Sequence, residues 1–280
     1  MVSKLNRNIR EFYDTSSPIW EKVWGEHMHH GFYGLDGNEK KDHRQAQIDL
    51  IDELIKWGKV YSAPKILDVG CGVGGSSIYL AKKFGAEVTG ITLSPYQIQS
   101  AKKRALDLGL DARLHFQVVD ALHPPFSQGS FDLVWSLESG EHMADKKKFL
   151  CACSEMLRPG GKLLMAVWCR RDVPPNLSSK EALLLKKLAA SFHIPDLISI
   201  AEYAKNAFDV GFEDIKIDNW TNAVSPFWFA VIRSALRPKS IIGVIHAGWP
   251  TIRGAFAMRL MVKGQKTGLI QYGILSGVKV

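Results

Sequence analysis

Short β-branched apolar runs alternate with amphipathic stretches between about residues 65 and 170. The apolar runs predict strands over 65–70, 86–92, 114–119, 131–137 and 162–168. The amphipathic stretches predict helices over 76–84, 95–108 and 145–157. The resulting order, β-α-β-α-β-β-α-β, is typical of a parallel sheet with helices on both faces, so the fold class is predicted as α/β.

The flanking regions are predicted to be mainly helical. Residues 3–58 predict two or three helices, the last with apolar positions at Ile48, Ile51, Leu54 and Ile55. After the core come predicted helices over 178–192 and 200–208, a strand over 213–220, a mostly apolar segment to about residue 265 and a last strand over 269–278. We therefore expect one compact domain with an N-terminal helical lid (1–60), a core (61–170), and cap helices with the last two strands (171–280).

The composition is that of a globular chain of 280 residues, with 46% hydrophobic and 23% charged residues. These values exclude a disordered or polytopic membrane protein. The first residues mix charged side chains with too few apolar ones for a signal peptide, which predicts a cytoplasmic protein. The cysteines lack the spacing of metal ligands and are predicted to be free thiols, so no metal is expected. They are Cys71, Cys151, Cys153 and Cys169.

A glycine-rich segment, 70–75, lies between the first predicted strand and the following helix, and its glycines fit the dinucleotide pattern G-x-G-x-x-G. Two observations argue against a dinucleotide. The carboxylate of Asp68 would repel a phosphate but suits an ammonium group. The second strand ends at Thr92 without the acid or arginine that a dinucleotide ribose requires. A ligand with a cation, a ribose and an adenine but no phosphate is S-adenosylmethionine.

Three segments, taken in order, resemble the motifs of class I methyltransferases. Residues 66–75 (ILDVGCGVGG) are similar to their first motif, 130–136 (SFDLVWS) to their fourth strand, and 157–163 (LRPGGKL) to the turn into their fifth. The resemblance implies an S-adenosylmethionine-dependent methyltransferase. It also implies a Rossmann-like fold, with a mostly parallel seven-stranded sheet and a helical cap inserted before the last strand.

Further segments narrow the resemblance to one family. Residues 24–33, 90–95, 135–143 and 220–228 resemble the γ-tocopherol C-methyltransferase family of cyanobacteria and plants, over nearly the whole chain. That family methylates an aromatic carbon of a chromanol with an isoprenoid tail, and its relatives include methyltransferases acting on an indole-alkaloid nitrogen. The resemblance thus implies a small aromatic acceptor. It leaves open γ-tocopherol, another prenylated phenol or quinol, or an alkaloid nitrogen.

The resemblance also assigns cofactor contacts along the strand ends. It implies that the glycine loop contacts the methionine part, with Asp68 near its amino group. The next two strand ends would contact the ribose and the adenine, and the fourth would face the reacting methyl group. The residues concerned are Asp68, Gly70, Cys71, Gly72 and Gly74 in the first group, Thr92, Leu93 and Gln97 for the ribose, Asp120 and Ala121 for the adenine, and Ser136 and Leu137 for the methyl group.

Methyl transfer depends mainly on positioning, but a phenol also benefits from a base that removes its proton. The candidate bases follow the fourth strand or lie in the N-terminal lid. Each of them could instead be a capping or solvated side chain. We expect His142 to orient or deprotonate the acceptor. The others are Glu138, Glu141, His27, His29 and His30. Tyr13, Trp24 and Tyr33 are expected either to cover the sulfonium as aromatic faces or to pack the first helices.

The net charge of +8 belongs to the end of the chain, because no acid follows Asp218. We expect this basic cap to line an apolar acceptor pocket and to make peripheral contact with an anionic membrane. One alternative is that these bases are ordinary solvated side chains. The other is a nucleic-acid surface, but no nucleic-acid partner is expected. Monomer and homodimer both stay open. The bases are Arg233, Arg237, Lys239, Arg253, Arg259, Lys263, Lys266 and Lys279.

Overall fold

The computed structural model describes residues 4–230 and 258–280. Its centre is a seven-stranded sheet in the order β3-β2-β1-β4-β5-β7-β6. The first five strands are parallel, whereas β7 is antiparallel to both β5 and β6. The predicted mostly parallel sheet is therefore confirmed. The strands are β1 (Lys65–Val69), β2 (Glu87–Thr92), β3 (Leu114–Val118), β4 (Phe131–Leu137), β5 (Leu157–Arg170), β6 (Phe212–Asn219) and β7 (Ile270–Lys279).

Two helices precede the sheet in the described chain, and the others alternate with its strands. A short 3-10 turn, Gly140–His142, follows β4. The helices are α1 (Lys4–Trp24), α2 (His43–Trp57), α3 (Gly75–Phe84), α4 (Pro95–Asp107), α5 (Lys146–Met156), α6 (Ser179–Phe192), α7 (Ile200–Asp209) and α8 (Thr221–Val224), with further helical residues at 227–230 and 258–266.

The sheet has a hydrophobic core on each face, because successive strand residues point to opposite sides. Ile66 and Leu133 belong to the core shared with α2, α3 and α4. Leu67 and Val134 belong to the core shared with α5 and α7. Burial of both faces explains why these strands are continuous apolar runs rather than alternating ones.

β5 is longer than the sequence predicts, beginning at Leu157 instead of Lys162. The Pro-Gly-Gly residues are expected to form a turn, but the backbone stays extended through them. A register shift between Phe131 and Leu133 accommodates the extra length where β4 pairs with β5. The strand therefore starts directly at the end of α5.

The predicted cap before the last strand corresponds to the segment between β6 and β7. Its described parts are helical: α8, 227–230 and 258–266. The expectations for its remaining bases, Arg233, Arg237, Lys239 and Arg253, lie outside the described residues. Among the helices that the structure describes, none is both long and apolar enough to cross a bilayer.

Candidate active site

The loop between β1 and α3 forms one wall of a cavity at the carboxyl ends of the strands. Gly70, Gly72 and Gly74 have φ angles of 79°, 52° and 86°, which glycine adopts readily. A Cβ on Gly72 would meet no atom within 4 Å, whereas one on Gly70 would lie 2.2 Å from Ser139 Cβ. The backbone thus turns tightly against Ser139 and leaves open space beside Gly72.

One buried carboxylate lines this cavity from β1. Asp68 is 2% exposed, and its Oδ2 accepts a hydrogen bond of 2.5 Å from Ser77 Oγ. Burial raises the pKa of Asp68 to about 7, although the hydrogen bonds from Ser77 act in the opposite direction. A cationic ligand group beside this carboxylate would favour its charged form and lower the pKa again.

The second strand end is linked to α1 through a glutamine. Thr92, Leu93 and Gln97 all line the cavity. Thr92 Oγ1 donates to Gln97 Oε1 at 2.7 Å, and Gln97 Nε2 donates to Ser17 Oγ at 3.1 Å. Gln97 therefore holds the cavity wall and α1 in a fixed relation.

The third strand end makes a similar connection. Asp120 and Ala121 line the cavity beyond β3. Asp120 Oδ2 accepts a hydrogen bond of 2.8 Å from Asn6 Nδ2, and its Oδ1 accepts one of 2.9 Å from Leu122 N. Asn6 was not predicted from the sequence, because a single asparagine within a helix carries no local signal.

The predicted N-terminal lid is helical, and α1 contributes Asn6, Ile9 and Tyr13 to the cavity wall. Polar contacts fasten α1 to α4. Asp14 accepts a hydrogen bond of 2.5 Å from Ser94 Oγ, and Glu21 pairs with Arg104 at 3.1 Å. These contacts hold α1 beside the cavity.

A tyrosine of α1 contacts a histidine of the turn after β4. The hydroxyl of Tyr13 lies 2.9 Å from Nε2 of His142, and both residues line the cavity. Burial lowers the pKa of His142 to about 4, with nearby Lys146 acting in the same direction. His142 is therefore a neutral imidazole at neutral pH and can form this bond in either tautomer.

Gln47 of α2 holds the histidine-rich segment 27–30 in place. Its Nε2 donates to the backbone oxygens of both His27 and His29 at 2.8 Å. The two imidazoles contact each other, with His29 Nε2 3.3 Å from His27 Nδ1. Burial, and then the neighbouring His29, lowers the pKa of His27 to about 3. His27 and His29 line the cavity as neutral side chains.

Glu138 stands directly after β4 in the left-handed region, with a φ of 54°. Its carboxylate accepts three hydrogen bonds: from His30 N at 2.7 Å, from His30 Nδ1 at 2.9 Å and from the Tyr272 hydroxyl at 2.9 Å. Burial alone would raise the pKa of Glu138, but His30 outweighs it and keeps the pKa below its usual value. Glu138 lines the cavity, whereas His30 and Tyr272 lie behind it.

The rings around His30 form what we call the aromatic cluster: His30, Trp168, Phe227, Trp228 and Tyr272. The His30 ring centroid lies 4.9 Å from Phe227 and Trp228, 5.6 Å from Tyr272 and 5.7 Å from Trp168. Trp24 of α1 packs on its edge, 5.4 Å from Phe227. Trp24 thus packs α1 against this cluster instead of covering the glycine loop.

Most of the residues expected at the site line the cavity. From the cofactor group these are Asp68, Gly70, Cys71, Gly72, Thr92, Leu93, Gln97, Asp120, Ala121, Leu137 and Tyr13, and from the catalytic group they are Glu138, His142 and His29.

Three residues expected to contact the cofactor, Gly74, Ser136 and Tyr33, are not among those that line the cavity. A Cβ on Gly74 would lie 3.0 Å from Ala101 Cβ, so this glycine is needed for packing against α4. Ser136 is buried, with its Oγ 2.8 Å from Ser139 Oγ. Tyr33 is buried in the core, and its backbone N–H donates to Ala223 O at 2.8 Å.

Two expected catalytic residues also lie outside the cavity wall. His30 points into the aromatic cluster. Glu141 lies on the other side of the 3-10 turn, where burial raises its pKa to about 8 and Glu138 acts in the same direction. Lys146 Nζ donates to the backbone oxygen of Glu141 at 2.8 Å and so fixes the turn that carries His142.

No group of three or more His, Cys, Asp or Glu side chains suited to a metal ion occurs within residues 4–230 and 258–280. All four cysteines are free thiols in the structure. Burial raises the pKa of Cys71 well above its usual value, so its thiol is neutral where it lines the cavity.

Comparison with known proteins agrees with this geometry. The family model described as "Methyltransferase domain" matches residues 67–165. The chain is 45% identical to the "Probable tocopherol O-methyltransferase, chloroplastic" of Oryza sativa subsp. japonica, over 97% of this chain and 78% of that one. It is 33% identical to norajmaline N-methyltransferase of Rauvolfia serpentina, over 97% of each.

Among solved structures, geranyl diphosphate C-methyltransferase of Streptomyces coelicolor superposes with a TM-score of 0.81 at 21% identity, covering 100% of this chain and 99% of that one. Sheet order, cavity and relatives together define a class I S-adenosylmethionine-dependent methyltransferase. Its substrate is a small molecule. Within that class, the chain belongs to the tocopherol methyltransferase family, which also includes alkaloid N-methyltransferases.

Proposed function

We propose that this enzyme methylates a ring carbon of a phenolic acceptor with a long apolar tail, a chromanol such as γ-tocopherol. The observation that carries the proposal is the aromatic cluster, which adjoins the cavity through Glu138. Its rings are buried and packed on one another, so an aromatic head group that enters beside them would meet apolar surface on several sides. The name of the rice relative supports a tocopherol acceptor.

The cavity residues fit S-adenosylmethionine in three respects. The carboxylate of Asp68 is buried, accepts its hydrogen bond from a neutral serine and suits the amino group. The open space beside Gly72 leaves room for the methionine chain. Thr92, Gln97 and Asp120 offer polar groups to the ribose and adenine. When bound, S-adenosylmethionine supplies a methyl group on a sulfonium, which the acceptor carbon takes while sulfur keeps the bonding electron pair.

The contact between Tyr13 and His142 closes the lid over this cavity. We assign His142 a positioning role, since its Nε2 is engaged by the Tyr13 hydroxyl at 2.9 Å. The face of the Tyr13 ring also suits a sulfonium through cation–π attraction.

A second candidate function is methylation of an indole-alkaloid nitrogen. The relative from Rauvolfia serpentina favours it, because it is 33% identical over nearly the full length of both chains. The two functions differ in the acceptor atom. Methyl-labelled S-adenosylmethionine, incubated with the enzyme and a panel of chromanols and indoles, distinguishes them by where the label is found. Label on an indole nitrogen, with none on a chromanol carbon, would contradict the first candidate.

We further propose that the described basic residues make peripheral contact with an anionic membrane, where a prenylated acceptor would dissolve. Arg259, Lys263 and Lys266 are exposed, and their spacing of four and three residues places them on one face of helix 258–266. Exposed Phe229 lies beside them, 5.8 Å from Lys266 Nζ. Bases and an apolar ring on one surface are typical of peripheral membrane contact.

Vesicles that contain phosphatidylserine test the membrane proposal. Replacing Arg259, Lys263 and Lys266 by glutamine should weaken binding, and added salt should weaken the binding of the unmodified enzyme. The matched control replaces Lys82, Lys102 and Lys103, which are exposed on α3 and α4. Equal binding by both triple variants would overturn the proposal. The expected cytoplasmic location stays a prediction.

A further inference from the structure

Glu138 organises a buried set of groups that the cofactor cavity does not account for. Its left-handed backbone turns the carboxylate from the end of β4 toward His30 and Tyr272. Such a conformation costs about 1 to 3 kcal/mol in a non-glycine residue, so the surrounding structure has to maintain it. The result is a carboxylate held between the cavity and the aromatic cluster.

The hydrogen bond from His30 Nδ1 to Glu138 fixes the tautomer of the imidazole. In the neutral ring the hydrogen lies on Nδ1, which leaves an electron pair on Nε2. His30 is 1% exposed, and its Nε2 has no hydrogen-bond partner among the described residues. The unpaired Nε2 is enclosed by the aromatic cluster, and a carboxylate that orients the opposite imidazole nitrogen is the arrangement of a general base.

Other unpaired polar atoms surround the same position. Within the part of the chain that the structure describes, the indole N–H groups of Trp168 and Trp228 are buried without a partner, and both rings contact His30. Leaving a buried polar group unpaired costs about 1 to 3 kcal/mol. A ligand hydroxyl can donate to the imidazole and accept from an indole, so it would satisfy groups that the protein leaves unpaired.

We propose that His30 Nε2 is the catalytic base that binds the acceptor hydroxyl and takes its proton, with Glu138 and Tyr272 as positioning residues. This inference rests on the proposed phenolic acceptor. It also favours carbon over oxygen as the methylated atom. The hydroxyl would lie at His30, behind the cavity wall that Glu138 forms, and so the ring would face the cavity.

The proton and electron balance of this step is simple. The O–H proton passes to Nε2 of His30, and the negative charge spreads from the oxygen to the ring carbon in the ortho position. That carbon forms the new bond to the methyl group and then releases its own hydrogen to water as a proton. The oxygen recovers a proton from His30, so one proton is released in each turnover.

The test compares two acceptors of different acidity in the full-length enzyme. One is the chromanol, and the other is a fluorinated analogue whose phenol is more acidic. His30→Gln should lower kcat on the chromanol about 100-fold or more, the contribution of a general base. On the acidic analogue the loss should be less than about tenfold, while the affinity for S-adenosylmethionine changes less than about twofold.

An equal loss on both acceptors, or no loss, would overturn the proposal. If His30→Gln does not fold, Tyr272→Phe replaces it, since it removes only the hydroxyl on Glu138. For Tyr272→Phe we expect kcat on the chromanol to fall about threefold to tenfold, and kcat on the acidic analogue to fall less. An equal fall on both acceptors would overturn the proposal. The control is His115→Gln on exposed β3, which should keep full activity. Failure of the unmodified enzyme to methylate any phenol would instead refute the proposed function.

Discussion

The hydroxyl of Tyr13 and Nε2 of His142 lie 2.9 Å apart although 129 positions separate the two residues in the sequence. One belongs to the first helix and the other to the turn after β4. Their contact joins the N-terminal lid to the turn that follows β4.

Tyr13→Phe tests this closure, because it keeps the ring and removes the hydrogen bond. A net loss of about 1 kcal/mol should weaken S-adenosylmethionine binding about fivefold, while the turnover rate changes less than about tenfold. Titration calorimetry and steady-state kinetics measure the two quantities. His142→Ala should likewise weaken S-adenosylmethionine binding about fivefold and change the turnover rate less than about tenfold. If its turnover rate instead fell about 100-fold or more while cofactor affinity stayed unchanged, His142 would be the base.

The affinity for S-adenosylmethionine should depend on pH through Asp68. Its pKa of about 7 before ligand binding means that the carboxyl is protonated below that pH, and only the carboxylate can hold an ammonium group. The dissociation constant should therefore rise up to about tenfold for each pH unit below 7 and level off above it. In Asp68→Asn the affinity should be low throughout and this dependence lost. A flat profile for the unmodified enzyme would contradict the assignment.

Gln47→Leu should destabilise the protein. The substitution keeps the approximate volume of the side chain but removes both hydrogen bonds to the backbone oxygens of His27 and His29. We expect the free energy of unfolding to fall by about 2 kcal/mol, measured in urea. The matched control is Gln45→Leu on the same helix. Gln45 is exposed and its amide donates to Asp49, so the change should alter stability by less than about 0.5 kcal/mol. Equal effects would show that the segment does not depend on Gln47.

Gly75→Ala should weaken cofactor binding by displacing the lid segment. A Cβ there would lie 2.2 Å from Glu26 O and 2.7 Å from His27 Nδ1, so the segment that carries these residues must move. Calorimetry should show a weaker affinity for S-adenosylmethionine. Gly109→Ala is the control, since its φ of 65° strains the backbone while no atom lies within 4 Å. It should lower stability without changing that affinity, and a similar affinity loss in both variants would contradict the steric explanation.

The sequence predicts the sheet and most of the residues that line the cavity, because their signals are local. Short segments of the sequence identify the glycine loop, Asp68, Thr92 and Asp120. The positions of these segments in the fold follow from the strand order. The helices and strands predicted from hydrophobic periodicity alone also begin and end within a few residues of the predicted positions. The exception is β5, which begins early, at Leu157.

The groups behind Glu138 could not be predicted in the same way. Tyr272 and His30 come together only because β7 inserts between β5 and β6, which brings the end of the chain beside the N-terminal segment. The sequence identified His30 as a candidate without indicating its partner. Tyr33, expected either to cover the sulfonium or to pack the first helices, is buried in the core. An aromatic residue beside a predicted site and one in the core look alike until the packing is known.

The most direct test of the central claim is carbon-13 NMR of the product formed from γ-tocopherol and S-adenosylmethionine labelled at its methyl carbon. The account predicts that the label appears as a methyl group on the aromatic ring, with S-adenosylhomocysteine formed in equal amount. Label on oxygen, or labelling of an indole nitrogen while the chromanol stays unlabelled, would contradict it.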